Sequence, residues 1–188
     1  YFKTKSDDHT STSRIILTHY QPLLIIAGWI SIILTCSLTC KKYHPKNKEL
    51  SRKIVHIGTG PVILLAWWFQ LSKAISVTAA AIITSMLILN YFFKLIPILE
   101  DIQRQSIGTI AYGLSTTTLL LLFWPKYAFA ISLGILSMAF GDGMAGLLGK
   151  SFKSPNWSIL GQTKSLAGTV TMLLTVMITM STVSILFD

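Results

Sequence analysis

The sequence has few charged residues and almost no cysteine. Asp, Glu, Lys and Arg make up 12% of the 188 residues, whereas 52% are hydrophobic and the mean hydropathy is +0.61. A soluble domain carries about a quarter charged residues, because its surface has to be hydrated. The deficit excludes an ordinary soluble domain and indicates a membrane protein. With only Cys36 and Cys40, in one apolar run, a disulfide framework or zinc site is not expected.

Two common nucleotide-binding motifs are absent. A P-loop ending on Gly149, Lys150 and Ser151 would need glycine at position 144, which is Met144. A Rossmann-type domain is not expected either, because no glycine triplet follows a strand. The chain also lacks the internal repeat of many transporters and the alternation of barrel strands.

Six apolar stretches are long enough to cross a bilayer as helices, for which about 20 mostly apolar residues are needed. They are roughly 22–40, 54–70, 74–93, 106–124, 127–149 and 165–187. We therefore predict an all-α fold, a polytopic transmembrane helical bundle with about six spans. We expect a polar N-terminal segment over residues 1–20 and a transmembrane domain over 21–188.

The Lys and Arg residues are distributed unevenly between the two sides that these spans define. Eleven lie in the loops 41–53, 94–105 and 150–164, and five lie on the opposite side. Positively charged loops tend to stay in the cytoplasm. The bias predicts that these loops face the cytoplasm, or the stroma of a plastid. An excess of this kind is more typical of membrane orientation than of nucleic-acid binding.

Four polar, glycine-rich motifs lie in or beside these three basic loops. In chain order they are ELSRKIVHIGTG (49–60), RQSIGTIAYGLS (104–115), GDGMAGLLGK (141–150) and GQTKSLAGT (161–169). The loops on the other side contain nothing comparable. Because all four motifs face the same aqueous side, we predict that they form one site near the membrane surface.

Asp142 stands in the apolar part of the fifth predicted span. A carboxylate there costs about 2.5–3.5 kcal/mol on insertion scales, so it should face a cavity or a partner. It can form a structural ion pair, or it can bind Mg²⁺ that carries nucleotide phosphates, since hard oxygen donors suit that ion. The neighbouring glycines and lysine favour a backbone-lined anion site, although glycines also permit close helix contact; they are Gly141, Gly143, Gly146, Gly149 and Lys150.

The first motif places one acidic and three basic side chains on one face of a helix. Glu49, Arg52, Lys53 and His56 have the spacing i, i+3, i+4 and i+7. Arg and Lys suit polyphosphate oxygens, Glu49 can orient them or bind a metal, and His56 can accept a proton or donate a hydrogen bond. The alternative is a basic stretch that binds anionic lipid, with His56 as a packing residue.

The last motif opens the sixth predicted span. A helix start with free amides, a lysine and hydroxyl groups suits phosphate, and the residues concerned are Lys164, Ser165, Gly168 and Thr169. In the second motif, Arg104 and Tyr112 are further candidates for the site.

The four motifs, in this order, resemble those of the polyprenol kinase family, and within it the phytol kinases of plants and cyanobacteria. The resemblance runs from about Glu49 to Thr169. It implies CTP-dependent phosphorylation of an isoprenoid alcohol, such as phytol on the way to tocopherol, in a plastid, cyanobacterial or other bacterial membrane. It also implies that Asp142 and the following glycines bind the nucleotide and Mg²⁺, and that Lys164 to Thr169 form a second nucleotide motif.

The implied mechanism gives a role to each group of residues. Asp142 would hold Mg²⁺, whereas Lys164, Arg52 and Lys53 would neutralise phosphate charge. His56 or Glu49 would assist loss of the alcohol proton. The isoprenoid tail would lie between spans, in a groove lined by apolar residues of the second, fourth and fifth predicted helices. Members usually continue past the position of this chain's last residue, so we expect a further span that closes the lipid pocket.

Two alternatives stay open. Dolichol kinases and CTP-dependent phosphatidate cytidylyltransferases usually have Glu before the last glycine, whereas this chain has Ala167, as phytol kinases do. A phosphatidate cytidylyltransferase-like enzyme would release pyrophosphate instead of CDP. The alternative outside enzymes is a transporter or lipid-binding protein, with Asp142 as a coupling site.

Overall fold

The computed structural model describes residues 6–45, 48–93, 107–159 and 162–187. Within these ranges the chain forms seven α-helices and one two-stranded sheet. In chain order they are α1 (Ser6–Tyr43), α2 (Lys48–Thr59), α3 (Val62–Trp68), α4 (Lys73–Phe93), α5 (Ile107–Phe123), α6 (Ala128–Leu148), β1 (Asn156–Ile159), β2 (Gln162–Ser165) and α7 (Leu166–Phe187). The predicted polytopic all-α bundle is confirmed.

Four helices of the described part are long and apolar enough to cross a membrane. They are α4, α6, α7 and the Tyr20–Tyr43 part of α1, and α5 contains a shorter apolar helix. Much of their outer surface is apolar. On α7, for example, Ile178 and Ile185 are 65% and 81% exposed, as expected for side chains that contact lipid.

The predicted second span, 54–70, is two short helices instead of one continuous helix. α2 ends and α3 begins around Gly60 and Pro61. Proline has no N–H for the helix ladder but fits the start of a new helix, so it favours a break here. A Cβ on Gly60 would lie 2.8 Å from Cβ of Ala139, so this glycine lets the break approach α6 closely.

α6 is the central helix and packs against α2, α3, α5 and α7. Two glycines of α6 permit close contact with α2 and with α7. A Cβ on Gly143 would overlap the side chain of Ile57 on α2, and one on Gly141 would lie 2.9 Å from Cγ2 of Val176 on α7. The hydrophobic core, which includes Trp124, fills the end of the bundle where α5 leads into α6.

An antiparallel hairpin between α6 and α7 was not predicted from the sequence. β1 and β2 pair so that Trp157 lies opposite Lys164. Each strand has only four residues, which is too short for a period-two pattern to be recognised. Lys164 therefore lies on a strand that precedes α7, and not in a helix start.

Candidate active site

Segments from all four motifs meet at one end of the bundle. The first motif lies on α2, the third at the end of α6, and the fourth on β2 and the start of α7. Tyr112, from the second motif, lies on α5 with its ring edge-on to His56 at a centroid distance of 5.0 Å. Residues of all four segments line one cavity of about 1400 Å³. Arg104 lies outside the described residues.

Lys53 and Asp142 form the pair at the centre of this end. Lys53 Nζ donates to Oδ2 of Asp142 at 2.6 Å and to its main-chain oxygen at 2.9 Å. Lys53 is only 5% exposed, whereas 52% of the Asp142 side chain is exposed. A Cβ on Gly146 would lie 2.5 Å from Cε of Lys53, so this glycine leaves room for the lysine. The pair holds the carboxylate in place while part of it faces the cavity.

His56 lies one helical turn beyond Lys53 and faces the same carboxylate. Its Nε2 is 3.6 Å from Oδ2 of Asp142, which is too far for a hydrogen bond. This buried nitrogen has no hydrogen-bond partner in the described part of the chain. Buried polar atoms normally have a partner, and the exceptions often have a functional reason. His56 lines the cavity, so its Nε2 is positioned to accept a hydrogen bond from a hydroxyl group that enters the cavity.

Glu49 joins the start of α2 to the segment after α6. Its carboxylate forms an ion pair with Lys150, and its Oε1 lies 3.7 Å from Nη2 of Arg52. Arg52 and Lys150 both line the cavity, as does the exposed Lys164 of the hairpin. These cations stand at the polar end of the cavity, where a polyanion would gain most from their charge.

Gly149 and Gly168 let the end of α6 meet the start of α7. A Cβ on Gly149 would lie 2.8 Å from Cα of Gly168. Ser165 Oγ donates to the Gly149 carbonyl oxygen at 3.0 Å and accepts from the Gly168 amide at 3.1 Å. Thr169 Oγ1 donates to the carbonyl oxygen of Ser165 at 3.2 Å. The observed role of these groups is packing and capping, and their contact with a nucleotide stays a prediction.

The expectation of free amides at the start of α7 is wrong for its first three residues. The Leu166 amide donates to the Pro155 carbonyl oxygen, and the Ala167 amide donates to Ser154 Oγ. The third, Gly168, donates to Ser165 Oγ. The hairpin brings residues 154–155, which precede β1, and the last residue of β2 to the start of α7, where they supply these acceptors. A linear pattern could not show this. An anion here would rely on Lys164 and the helix dipole instead of the first amides.

The cavity also has a long apolar arm, and the sequence predicted part of its lining. Residues of the second, fourth and fifth predicted spans line the cavity, as expected for the groove that holds the isoprenoid tail. The contributions of α1 and α4 were not predicted. The arm extends from the polar cluster between α1, α3, α4 and α5 to residues at the opposite end of the bundle, such as Ala66, Leu71 and Leu120. Side chains that line the arm look the same in sequence as side chains that face lipid, because both are apolar. Only the packing of the helices distinguishes them.

The carboxylate of Asp142 suits a Mg²⁺ ion that is bound mainly by the phosphates of a nucleotide. Among the described residues, no group of three or more His, Cys, Asp or Glu side chains could hold a metal ion. Mg²⁺ commonly takes one or two carboxylates and completes its shell with substrate phosphates and water. The half-exposed carboxylate of Asp142 suits that mode, whereas a site built only from protein ligands is not seen in the described ranges.

Comparison with known proteins gave two relatives, and the names of both describe kinases of isoprenoid alcohols. A phytol kinase of Synechocystis sp. is 35% identical over 162 residues, which are 81% of this chain and 68% of the relative. A chloroplastic farnesol kinase of Arabidopsis thaliana is 26% identical over 138 residues, which are 67% of this chain and 44% of the relative. No family model and no solved structure matches. On the first of these similarities, the chain belongs to the polyprenol kinase family that includes the phytol kinases.

Proposed function

We propose that this protein is an isoprenoid alcohol kinase that transfers the γ-phosphoryl group of CTP to a primary alcohol such as phytol. The observation that carries the proposal is the single cavity that joins the Lys53, His56 and Asp142 cluster to an apolar arm. A lipid alcohol needs an apolar environment and a nucleotide needs a polar, positively charged one, and the two environments have to meet where the phosphoryl group is transferred. The names of the two relatives support the acceptor class.

The isoprenoid tail would lie in the apolar arm, with its hydroxyl group beside His56. In this position the hydroxyl donates to the unpartnered Nε2 and shares the space in front of Asp142. Holding the acceptor oxygen in line with the γ-phosphorus is the main contribution that a protein makes to phosphoryl transfer. The apolar wall excludes water, which would otherwise compete as acceptor.

The reaction forms a bond between the alcohol oxygen and the γ-phosphorus and breaks the bond from that phosphorus to the β,γ-bridging oxygen. CDP leaves with the bond electrons, and the alcohol proton moves to Nε2 of His56. Mg²⁺ held by Asp142 would neutralise charge on the phosphates when it is bound. Lys53 would keep the Asp142 carboxylate in position through its two hydrogen bonds.

Arg52, Lys150 and Lys164 would bind the triphosphate at the polar end. Glu49 now pairs with Arg52 and Lys150, so it would hold these cations in place until phosphate oxygens compete for them. Lys53 is committed to Asp142 and buried, so we assign it to positioning and not to phosphate contact. We place this end at the cytoplasmic or stromal surface of a plastid or bacterial membrane, as the loop charges predict.

The test is an assay of membranes that contain the protein, with phytol, geranylgeraniol and dolichol each offered together with CTP, UTP or ATP. With CTP labelled in its γ-phosphoryl group, we expect the label to appear in phytol or geranylgeraniol phosphate and CDP to be released. Release of pyrophosphate with phosphatidate as acceptor would favour the cytidylyltransferase alternative. Absence of label in every alcohol, with every nucleotide and added Mg²⁺, would overturn the proposal.

A further inference from the structure

We propose that the far end of the apolar arm sets the length of the alcohol that is accepted, with Ser76 and Ala80 of α4 as the length-determining positions. This inference rests on the proposed function and adds a specificity that the relatives do not define. It depends on three features of the arm: a row of residues along α4, buried side chains at the far end, and the apolar walls that α1 and α3 contribute.

α4 presents one row of residues to the arm along its whole depth. Ser76, Ala80, Thr84 and Leu87 all line the cavity and recur at a spacing of three or four residues, which places them on one helix face. Successive positions are separated by about 4.5–6 Å along the helix, since each residue rises about 1.5 Å. The row therefore divides the arm into levels of defined depth.

Thr84 marks the level of the reacting end. Its Oγ1 lies 3.0 Å from Oγ1 of Thr117, and a Cβ on Gly113 would lie 2.9 Å from that same Thr84 oxygen. Gly113 follows Tyr112, whose ring packs against His56. Ser76 is eight residues from Thr84, and this distance corresponds to roughly 12 Å along the helix. An acceptor with its hydroxyl group at His56 would thus extend towards Ser76.

Buried side chains are packed at the far end of the arm, where Ala66 and Leu120 line the cavity and Trp124 follows α5. Trp124 is 3% exposed, Leu120 is 4% exposed and Ala66 is 7% exposed. The Trp124 indole N–H donates to the carbonyl oxygen of Leu71 at 2.9 Å, which ties the connection before α4 to the end of α5. A tail that reaches this end meets packed protein, so additional length is not accommodated without displacement of the core.

The walls that α1 and α3 give to the arm are apolar, whereas α4 adds the hydroxyl groups of Ser76 and Thr84. α1 contributes Leu23, Ile26 and Ile30, and α3 contributes Val62 and Ile63. An isoprenoid tail gains from contact with such walls along its whole length. A short tail leaves part of them unfilled, and a tail that is too long meets the buried side chains at the far end. Length is therefore the property that this shape can discriminate.

Ser76 and Ala80 are small residues at the two deeper levels, so larger side chains there would shorten the arm. The experiment compares Ala80→Phe, Ser76→Phe and the milder Ala80→Leu with wild type. The acceptors are geraniol, farnesol, geranylgeraniol and a long polyprenol, in order of increasing length. Ser85→Phe is the matched control, since Ser85 is an exposed residue of α4 that does not line the cavity. Thermal unfolding in detergent verifies that each variant is folded.

We expect Ala80→Phe to lower kcat/KM for geranylgeraniol by about tenfold or more while geraniol stays within about threefold, a range typical of steric discrimination in apolar pockets. Ser76→Phe should affect only alcohols longer than those affected by Ala80→Phe, and Ala80→Leu should give a smaller change in the same direction. Ser85→Phe should leave the acceptor profile unchanged.

Equal losses of kcat/KM for all four alcohols in the folded Ala80 and Ser76 variants would overturn the length proposal. Unchanged activity of these variants with the long polyprenol would also overturn it, because the tail would then leave the arm for the bilayer. Both outcomes leave wild-type kinase activity intact and so spare the proposed function. Wild-type protein that phosphorylates none of the alcohols would instead overturn the proposed function, and the length proposal with it.

Discussion

Arg52 and Lys53 are adjacent in sequence, yet they occupy different environments. Lys53 is buried and donates twice to Asp142, whereas the side chain of Arg52 is 30% exposed and lies near Glu49. From the sequence, both side chains are predicted to bind phosphate. Because α2 turns by about 100° per residue, neighbours point to different surroundings, and only one of them faces α6.

This difference predicts different kinetic effects for two matched substitutions. Lys53→Met should lower kcat with little change in KM for CTP, because it releases the Asp142 carboxylate. Arg52→Met should mainly raise KM for CTP, by about tenfold, since one charge-assisted contact is lost. Steady-state kinetics at saturating alcohol measure both quantities. An equal rise of KM in both variants would contradict the positioning role of Lys53.

Asp142→Asn should lower kcat by about 100-fold or more, because the amide does not replace a negatively charged Mg²⁺ ligand. The variant keeps an oxygen that can accept from Lys53, so the fold should be retained. Activity measured against Mg²⁺ concentration, with Asp142→Glu as the charge-conserving control, tests this expectation. If Asp142→Asn kept wild-type activity and the same Mg²⁺ dependence, the metal role would be wrong.

His56→Gln should lower kcat by about 10²–10⁴-fold, the usual contribution of a positioned general base, while KM for the alcohol changes little. Glutamine retains polarity and approximate size but does not take up the proton. His44→Gln is the control, since His44 is exposed just after α1. Rates with phytol and CTP measure the effect, and similar kinetics in the two variants would remove His56 from the reaction.

At the scale of helices, α6 brings the site together through its glycines. Gly143 and Gly141 allow contact with α2 and α7, and Gly146 accommodates Lys53. The sequence left two interpretations of this glycine-rich segment, an anion site and close helix packing. The structure supports packing for these three positions, and this packing is what places Asp142 beside the first motif.

Gly143→Ala should destabilise the protein by about 1–3 kcal/mol, because the added methyl group would overlap Ile57 and force the helices to shift. Gly134→Ala on the same helix is the matched control, since nothing lies within 4 Å of its Cβ position. Thermal unfolding of the detergent-solubilised protein compares them. A double variant with Ile57→Ala should recover part of the loss, and equal stability of the two single variants would contradict the packing role.

For the whole molecule, the loop charges predict that the site faces the cytoplasm or stroma. Lys126 lies between α5 and α6, and Ser151 follows α6, so they stand at opposite ends of that helix. In a bacterial host, and in a Cys36→Ala, Cys40→Ala background, we expect a membrane-impermeant maleimide to label Lys126→Cys from outside intact cells and Ser151→Cys only after permeabilisation. The reverse pattern would invert the orientation.

Hydropathy and the spacing of charged residues were enough to identify the class of the protein. Apolar runs separated by short polar loops leave helices as the way to satisfy the backbone in lipid, so the bundle and most helix positions followed from hydropathy. Motif order led to the family, because four short patterns in a fixed order are far more specific than any one of them.

The position and contacts of each motif residue followed only from the tertiary structure. The burial of Lys53 and the hydrogen-bonded amides at the start of α7 depend on contacts between segments far apart in the chain. So does the position of His56 Nε2, which has no hydrogen-bond partner among the described residues. No linear pattern contains such contacts. The part that α1 and α4 take in the apolar arm was likewise not predicted, because lipid-facing and cavity-facing side chains share one composition and differ only in what packs beside them.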